Sequence, residues 1–210
     1  MAASHLQASG EEVEDVVLVP FPAQGHLIPF LALAHLLAHR TSYAIILVGT
    51  PGNAQKMRSM LATATITVAE LPFPALTTDC RLAVESLQPA LKRLLSESPR
   101  SLCLIGDAFC GWTLSVAEEL GIFHASFSTS GEFGTSVVAC LWLQMPHKNT
   151  DSDEFELPDL VGLKLSRSHL PPNILAADGM DLWSEFMRRN FLPSLHSGGL
   201  LCNTVAELEP

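Results

Sequence analysis

Hydrophobic residues fall along this chain in short unbroken runs separated by amphipathic stretches. Val16-Val17-Leu18-Val19 is a continuous β-branched and aliphatic run closed by Pro20. A run of that kind marks a strand covered on both faces, as in a parallel sheet. Ala44 to Val48, Ile66 to Ala69, Leu102 to Gly106 and Phe123 to Phe127 repeat the pattern, and Gly199 to Asn203 adds a short sixth candidate. Between them lie helical patterns. Leu27 to Arg40 places Pro29 in its first turn, where a missing N–H is harmless. Asn53 to Leu61 is a short helix after the turn Gly49-Thr50-Pro51-Gly52. From about Arg81 to Ser96, Leu82, Leu87, Leu91, Leu94 and Leu95 make an imperfect apolar stripe. Gly111 to Leu120 stops at Gly121, where a left-handed cap is expected. Glu132 to Leu143 ends before Pro146, and residues 181–192 form a last helix.

Strand and helix alternate about five times. The pattern predicts an α/β fold, a Rossmann-like doubly wound parallel sheet with helices on both faces. Residues 1–15 read as a flexible polar tail and 16–210 as one domain. His147 to Pro172 is the least regular part, and Asp151-Ser152-Asp153-Glu154 reads as an acidic surface loop.

Composition narrows the function classes. The chain has 210 residues, 48% hydrophobic and 16% charged, so a sizeable core is affordable and general disorder is excluded. Its net charge of −10 argues against a nucleic-acid or anionic-membrane surface. The five cysteines form no C-x-x-C pair, which points to reduced thiols rather than a disulfide framework or zinc site. No secretory signal pattern opens the chain, and Leu27 to Ala38 is too short to span a membrane. A cytoplasmic protein without an integral membrane segment is expected.

Topology suggests where chemistry sits. In an open parallel sheet, ligands bind beyond the carboxyl ends of the strands, where the strand order reverses. In the order 3-2-1-4-5, strands one and four are neighbours at that switch. The loop after strand one carries Gln24-Gly25-His26, and the loop after strand four carries Asp107-Ala108-Phe109. Ser128-Thr129-Ser130-Gly131, after strand five, lies next along. A histidine beside a carboxylate is the arrangement for general-base catalysis: the imidazole takes a proton near neutral pH, and the carboxylate fixes its tautomer. Gly25 permits close backbone approach to a ligand. The same residues also have plainer uses, since a histidine near a helix start caps or packs and an aspartate after a strand serves as an N-cap. His35 and His39 stand four apart on a helix without a carboxylate motif, so a packing or surface role is expected. Phe109 and Trp112 belong to the core or line an apolar pocket, and His124 is expected to be a core residue with its hydrogen bonds satisfied. No G-x-G-x-x-G, phosphate loop or G-x-S-x-G elbow occurs.

Four segments, in this order, carry a resemblance: Pro20-Phe21-Pro22-Ala23-Gln24-Gly25-His26-Leu27-Ile28-Pro29, Gly106-Asp107-Ala108-Phe109-Cys110-Gly111-Trp112, Phe127-Ser128-Thr129-Ser130-Gly131, and Leu201-Cys202-Asn203-Thr204-Val205-Ala206-Glu207-Leu208-Glu209-Pro210. The chain resembles the N-terminal, acceptor-side half of plant UDP-dependent glycosyltransferases of the GT-B fold. The resemblance implies His26 as general base toward an acceptor hydroxyl and Asp107 as its orienting, charge-balancing partner. It also implies Thr129, with Gly25 and Ser130, near the donor sugar, and an acceptor lining that includes Phe109, Trp112 and Trp142. The implied reaction is an inverting transfer, most simply of glucose, from a UDP-sugar to a hydroxyl of a small lipophilic plant metabolite. The UDP-sugar is a co-substrate, and neither a cofactor nor a metal is implied. Two departures stand out. The family's UDP-binding domain, with a W-x-P-Q…H-C-G-W-N-S…D-Q type of signature, has no counterpart in these 210 residues. The segment from Pro74 to Cys80 is shorter than in similar members. Two readings follow: an acceptor domain with its chemistry encoded, or a truncated non-catalytic remnant that binds a small apolar ligand or a partner. An uncovered interdomain face would also favour self-association.

Overall fold

The computed structural model describes residues 13–61, 65–73, 80–98, 100–205 and 207. The chain runs β1 (Asp15–Val19), α1 (Gln24–Arg40), β2 (Ala44–Gly49), α2 (Pro51–Met60), β3 (Ile66–Glu70), α3 (Cys80–Glu85), α4 (Gln88–Glu97), β4 (Ser101–Asp107), α5 (Trp112–Leu120), β5 (Phe123–Ser128) and α6 (Glu132–Leu143). A small antiparallel pair follows, β6 (Glu154–Glu156) with β7 (Lys164–Ser166), then α7 (Pro172–Ala176), α8 (Leu182–Leu195) and β8 (Leu200–Cys202). The main sheet is parallel throughout, with order β3-β2-β1-β4-β5-β8. The expected switch point is therefore present between β1 and β4, and β8 extends the sheet at its far edge.

The unbroken hydrophobic runs are explained by two cores, one on each face. Val16, Leu18, Ile45, Leu47 and Ile105 face Leu27, Phe30, Leu31 and Ala34 of α1. Val17, Val19 and Leu104 face the opposite core, which takes Leu91 and Leu95 from α4, Val116 and Ala117 from α5, and Phe186, Met187 and Phe191 from α8. Successive residues of one strand thus enter different cores, which only a sheet covered on both sides demands. Gly121 closes α5 with φ of 65°, the left-handed cap that its position suggested.

Several boundaries differ from the pattern. Gln24, Gly25 and His26 form the first turn of α1 rather than a loop, because the Ala23 carbonyl already accepts the N–H groups of His26 and Leu27. Asp107 is the last residue of β4 rather than part of the following loop. Asp15 belongs to the sheet and is buried, accepting from Ser98 Oγ at 2.6 Å, so the expected tail is too long by at least that residue; residues 1–12 lie outside the described part. The single helix over 81–96 is two helices broken at Ser86 and Leu87, where Pro89 in the first turn of α4 has no N–H to continue the ladder. The region 147–172 holds the β6–β7 pair and two 3₁₀ turns. Asp151 to Glu154 is exposed as expected, although Glu154 opens β6. Of the short Pro74–Cys80 segment, only Cys80 at the start of α3 is described, and the ends of the C-terminal motif (Ala206, Leu208 to Pro210) are likewise outside.

Candidate active site

The carboxyl ends of β1, β4 and β5 converge on His26. The imidazole sits in the third residue of α1, 19% exposed, and its Nδ1 lies 2.8 Å from Asp107 Oδ2; the carboxylate is 1% exposed. Two backbone amides hold that carboxylate from the other side. Phe109 N–H donates to Oδ1 at 2.9 Å, and Phe21 N–H donates to Oδ2 at 3.3 Å. An ionised carboxylate only accepts, so the imidazole proton sits on Nδ1 and the lone pair on Nε2 is left free. Thr129 Oγ1 stands 3.5 Å from the same Nδ1.

Aromatic rings fix the imidazole laterally. Its centroid is 4.9 Å from that of Phe109 and 5.3 Å from that of Phe21. Phe186 of α8 closes the group, 6.0 Å from Phe109 and 6.1 Å from Phe21. Beside them lies a cavity of about 130 Å³, reached by His26, Asp107, Phe109, Thr129, Ser130 and, from α8, Phe191. Its polar wall is internally bonded: Thr135 Oγ1 donates to Gly131 O at 2.7 Å, so Ser128 Oγ donates to Thr135 Oγ1, also at 2.7 Å. Cys110 adjoins the site, but burial first and the Asp107 charge second push its thiol well above the ordinary range, so it is no nucleophile at neutral pH.

Five of the residues singled out from sequence therefore share one cavity: His26, Asp107, Phe109, Thr129 and Ser130. Gly25 precedes His26 in α1, and a Cβ there would meet nothing within 4 Å. Trp112 is elsewhere. It opens α5 and lines a separate groove against Leu192 of α8 and His196 just after it. Trp142 is buried on α6 and does not line this cavity; its ring lies 6.5 Å from that of Trp183, which is 6.0 Å from that of Phe186. Phe21, Phe186, Phe191 and Thr135 escaped the sequence reading. Phe21 lay inside the quoted Pro20–Pro29 segment, whereas nothing local pairs α8 with His26. His124 is in the core as expected but only half-bonded. Thr113 Oγ1 donates to Cys110 O at 2.7 Å, so His124 Nε2–H donates to Thr113 Oγ1 at 2.9 Å, and Nδ1 has no partner. Among the described residues no group of three or more potential metal ligands occurs.

The parallel sheet and its flanking helices match, as a fold, the Rossmann-like half of GT-B glycosyltransferase structures. Solved structures share that fold: the Glycyrrhiza uralensis UGT73P12 complex with glycyrrhetinic acid 3-O-monoglucuronide (TM-score 0.73, 24% identity, 94% of this chain, 45% of that one) and an indoxyl-glucosylating UDP-glucosyltransferase from Polygonum tinctorium (TM-score 0.76, 22% identity, 94% and 47%). In sequence the chain is similar to crocetin glucosyltransferase 3 of Crocus sativus (35% identity, 93% of this chain, 47% of the relative) and UDP-glycosyltransferase 92A1 of Arabidopsis thaliana (34%, 92% and 46%). No protein-family model matches. The chain is a homologue of the plant UDP-glycosyltransferases, and it spans about half the length of the curated relatives it matches. No described helix is long and apolar enough to cross a membrane.

Proposed function

We propose that this chain is the acceptor-side domain, residues 16–210, of an inverting UDP-glycosyltransferase that acts on a hydroxyl of a small lipophilic metabolite. The observation that carries the reading is His26 held through Nδ1 by the buried Asp107 at 2.8 Å, which leaves Nε2 as the free base. In this mechanism Nε2 takes the acceptor hydroxyl proton as the oxygen attacks the anomeric carbon of the sugar. The bond to UDP breaks on the opposite face, and UDP leaves with the electron pair. Asp107 stabilises the imidazolium that forms. Thr129 and Ser130, at the carboxyl end of β5, bond the sugar hydroxyls. Phe109, Val138 and Phe191 supply an apolar wall for the acceptor, with Phe186 packed behind Phe109. The UDP group takes its contacts from a second domain, as in the family, and the location of such an enzyme is the cytoplasm.

A second reading is a non-catalytic binder of a small apolar ligand, for which the cavity beside His26, with Phe109, Val138 and Phe191 on its wall, offers a site. One assay separates the two. The purified chain is incubated with UDP-glucose and a panel of phenols. A glucoside that disappears in His26→Ala supports the first reading; acceptor binding without product from any phenol supports the second and removes the first for this chain. The first reading also expects self-association through the rim around α1 and α6, where Ile28 and Phe133 are exposed, and a monodisperse monomer in sedimentation would count against that part.

A further inference from the structure

The start of α1 is an unusual place to mount a base. Its N-cap, Ala23, has no side chain able to cap, and the bend before it carries Pro20 and Pro22, neither of which has an N–H to donate. Inside the bend, the Ala23 N–H turns back on Phe21 O at 2.8 Å. That closes a tight local loop but ties it to nothing else. Two contacts anchor the bend from outside. One is the Phe21 N–H on Asp107 Oδ2. The other comes from the first turn of α2: Asn53 Nδ2–H donates to the Pro22 carbonyl at 3.2 Å. Among the described residues Asn53 is the hydrogen-bond partner of that carbonyl. Asn53 is itself fixed, since its own N–H donates to Thr50 O at 2.9 Å and Pro51 pre-sets the turn.

We propose that Asn53 is a positioning residue for His26. It holds the Pro22 carbonyl so that the first turn of α1 presents the imidazole to Asp107. The proposal rests on the reading of His26 as the base, but its geometry is independent of turnover. Pro22 directly precedes the N-cap Ala23, whose carbonyl accepts from the His26 N–H, and the Phe21 amide that shares Asp107 Oδ2 is the adjoining residue. Releasing Pro22 therefore loosens both the imidazole and one donor to its carboxylate together. Asn53 touches neither the cavity nor Asp107, so it acts through α1 rather than on substrate.

The test is a spectroscopic signature that mere folding would not move. The imidazole Nδ1–H bonded to Asp107 gives a low-field proton resonance, assigned by its loss in Asp107→Asn. Asn53→Ala and the near-isosteric Asn53→Asp, which lacks the donor, are compared with Arg58→Ala. That control cuts a different tether of α2, the one to Glu70 and the Val68 carbonyl. Both Asn53 variants are expected to shift or broaden the resonance, and Arg58→Ala to leave it in place. Where glucoside is formed, kcat falls about 10- to 100-fold in the Asn53 variants with acceptor KM unchanged, as misplacement of a base by a fraction of an ångström requires. An unaltered resonance in the folded Asn53 variants, or an equal change in Arg58→Ala, overturns the proposal, and so does its absence from the unaltered chain. If the unaltered chain makes no glucoside, the glycosyltransferase reading falls while the resonance still decides the role of Asn53.

Discussion

His26 Nδ1 meets Asp107 Oδ2 at 2.8 Å, and the carboxylate that receives it is already bound by two backbone amides. The order of those bonds matters. With Phe109 N–H on one oxygen and Phe21 N–H on the other, the carboxylate cannot rotate away from the imidazole without breaking bonds that the fold itself supplies. The pair is thus pre-set before any ligand arrives, which is the property that electrostatic stabilisation of a developing imidazolium requires.

Asp107→Asn tests that order. The amide keeps one acceptor oxygen but gains a donor, and one of its ends must face an N–H. If the amide oxygen stays with Phe109, the NH₂ confronts His26 Nδ1, which must then accept. The proton moves to Nε2, and the base is lost while the packing is kept. We expect glucoside formation to drop by roughly 10²- to 10⁴-fold, the span usual for a lost general base, and the melting temperature to fall as well, because the buried Phe21 N–H then faces the NH₂ and loses its acceptor. Initial rates with a phenol acceptor measure it. A variant within threefold of the unaltered chain would remove Asp107 from the mechanism.

Gly106→Ala tests the close approach behind the site. A Cβ there would lie 2.1 Å from Thr113 Oγ1 and 3.1 Å from His124 Nε2, where neither atom has room to retreat within a buried hydrogen bond. Overpacking of this kind costs about 1–3 kcal/mol. A lowered urea midpoint is expected, together with lower activity, because the next residue is Asp107. An unchanged midpoint would mean that α5 moves freely against β4.

What could be read from sequence followed from how local each signal is. The strands were legible because β1, β2 and the middle of β4 are apolar at successive positions, and the switch point then brought Asp107 to His26 across a long sequence gap. The boundaries were less so. Gln24 to His26 has the composition of a loop, yet the Ala23 carbonyl starts the helix three residues early. Trp112 and Trp142 were grouped with Phe109 through the resemblance, which supplies ring chemistry but no helix phase. The helix phase of α5 turns Trp112 to a different groove, and Trp142 lies near Trp183 without lining the cavity. Phe186 and Phe191 come from α8, whose docking against α5 is so tight that Gly111 would place a Cβ 2.1 Å from Asn190 O. No local pattern encodes that contact. The roles of Thr129, Ser130 and Gly25 toward a donor sugar belong to the proposal, since the geometry supplies only their places.

Asp181→Ala tests whether α8 is held by its cap. Asp181 Oδ1 accepts from Trp183 N–H at 2.9 Å and Ser184 N–H at 3.1 Å, and Oδ2 accepts from the Ser184 hydroxyl. Partial burial pushes the carboxyl up, but the bonds from the Ser184 hydroxyl and amide and from the Asp178 and Trp183 amides outweigh it and hold the group at about 2. Loss of the cap should cost about 0.5–2 kcal/mol. Because the folded value lies below the unfolded 3.8, the cap contributes fully above that pH and fades as pH falls towards 2. Tryptophan fluorescence of Trp183 during denaturation reports it, and an unchanged transition would assign α8 to packing alone.

His124 makes the last prediction, and its sign runs the opposite way in charge though the same way in pH. Burial pushes the imidazole down to about 4 from its ordinary 6.5, because Nδ1 has no partner to stabilise a proton and Nε2–H is committed to Thr113. The unfolded chain therefore binds a proton that the folded chain refuses. The contribution is fully present above 6.5 and is lost as pH falls towards 4, by at most about 3 kcal/mol over the whole interval. His147 adds to it in the same direction: burial chiefly, and then the charges of Lys148 and Arg167, lower it against the pull of the Ile174 carbonyl. Unfolding free energies measured in urea between pH 7 and pH 5, above most carboxylate titration, should fall for the unaltered chain. They should fall less for His124→Gln, which presents an amide N–H to Thr113 without a titratable group. Equal slopes in the two chains would show that His124 takes up its proton in the folded state, which requires water or a rotated ring at Nδ1.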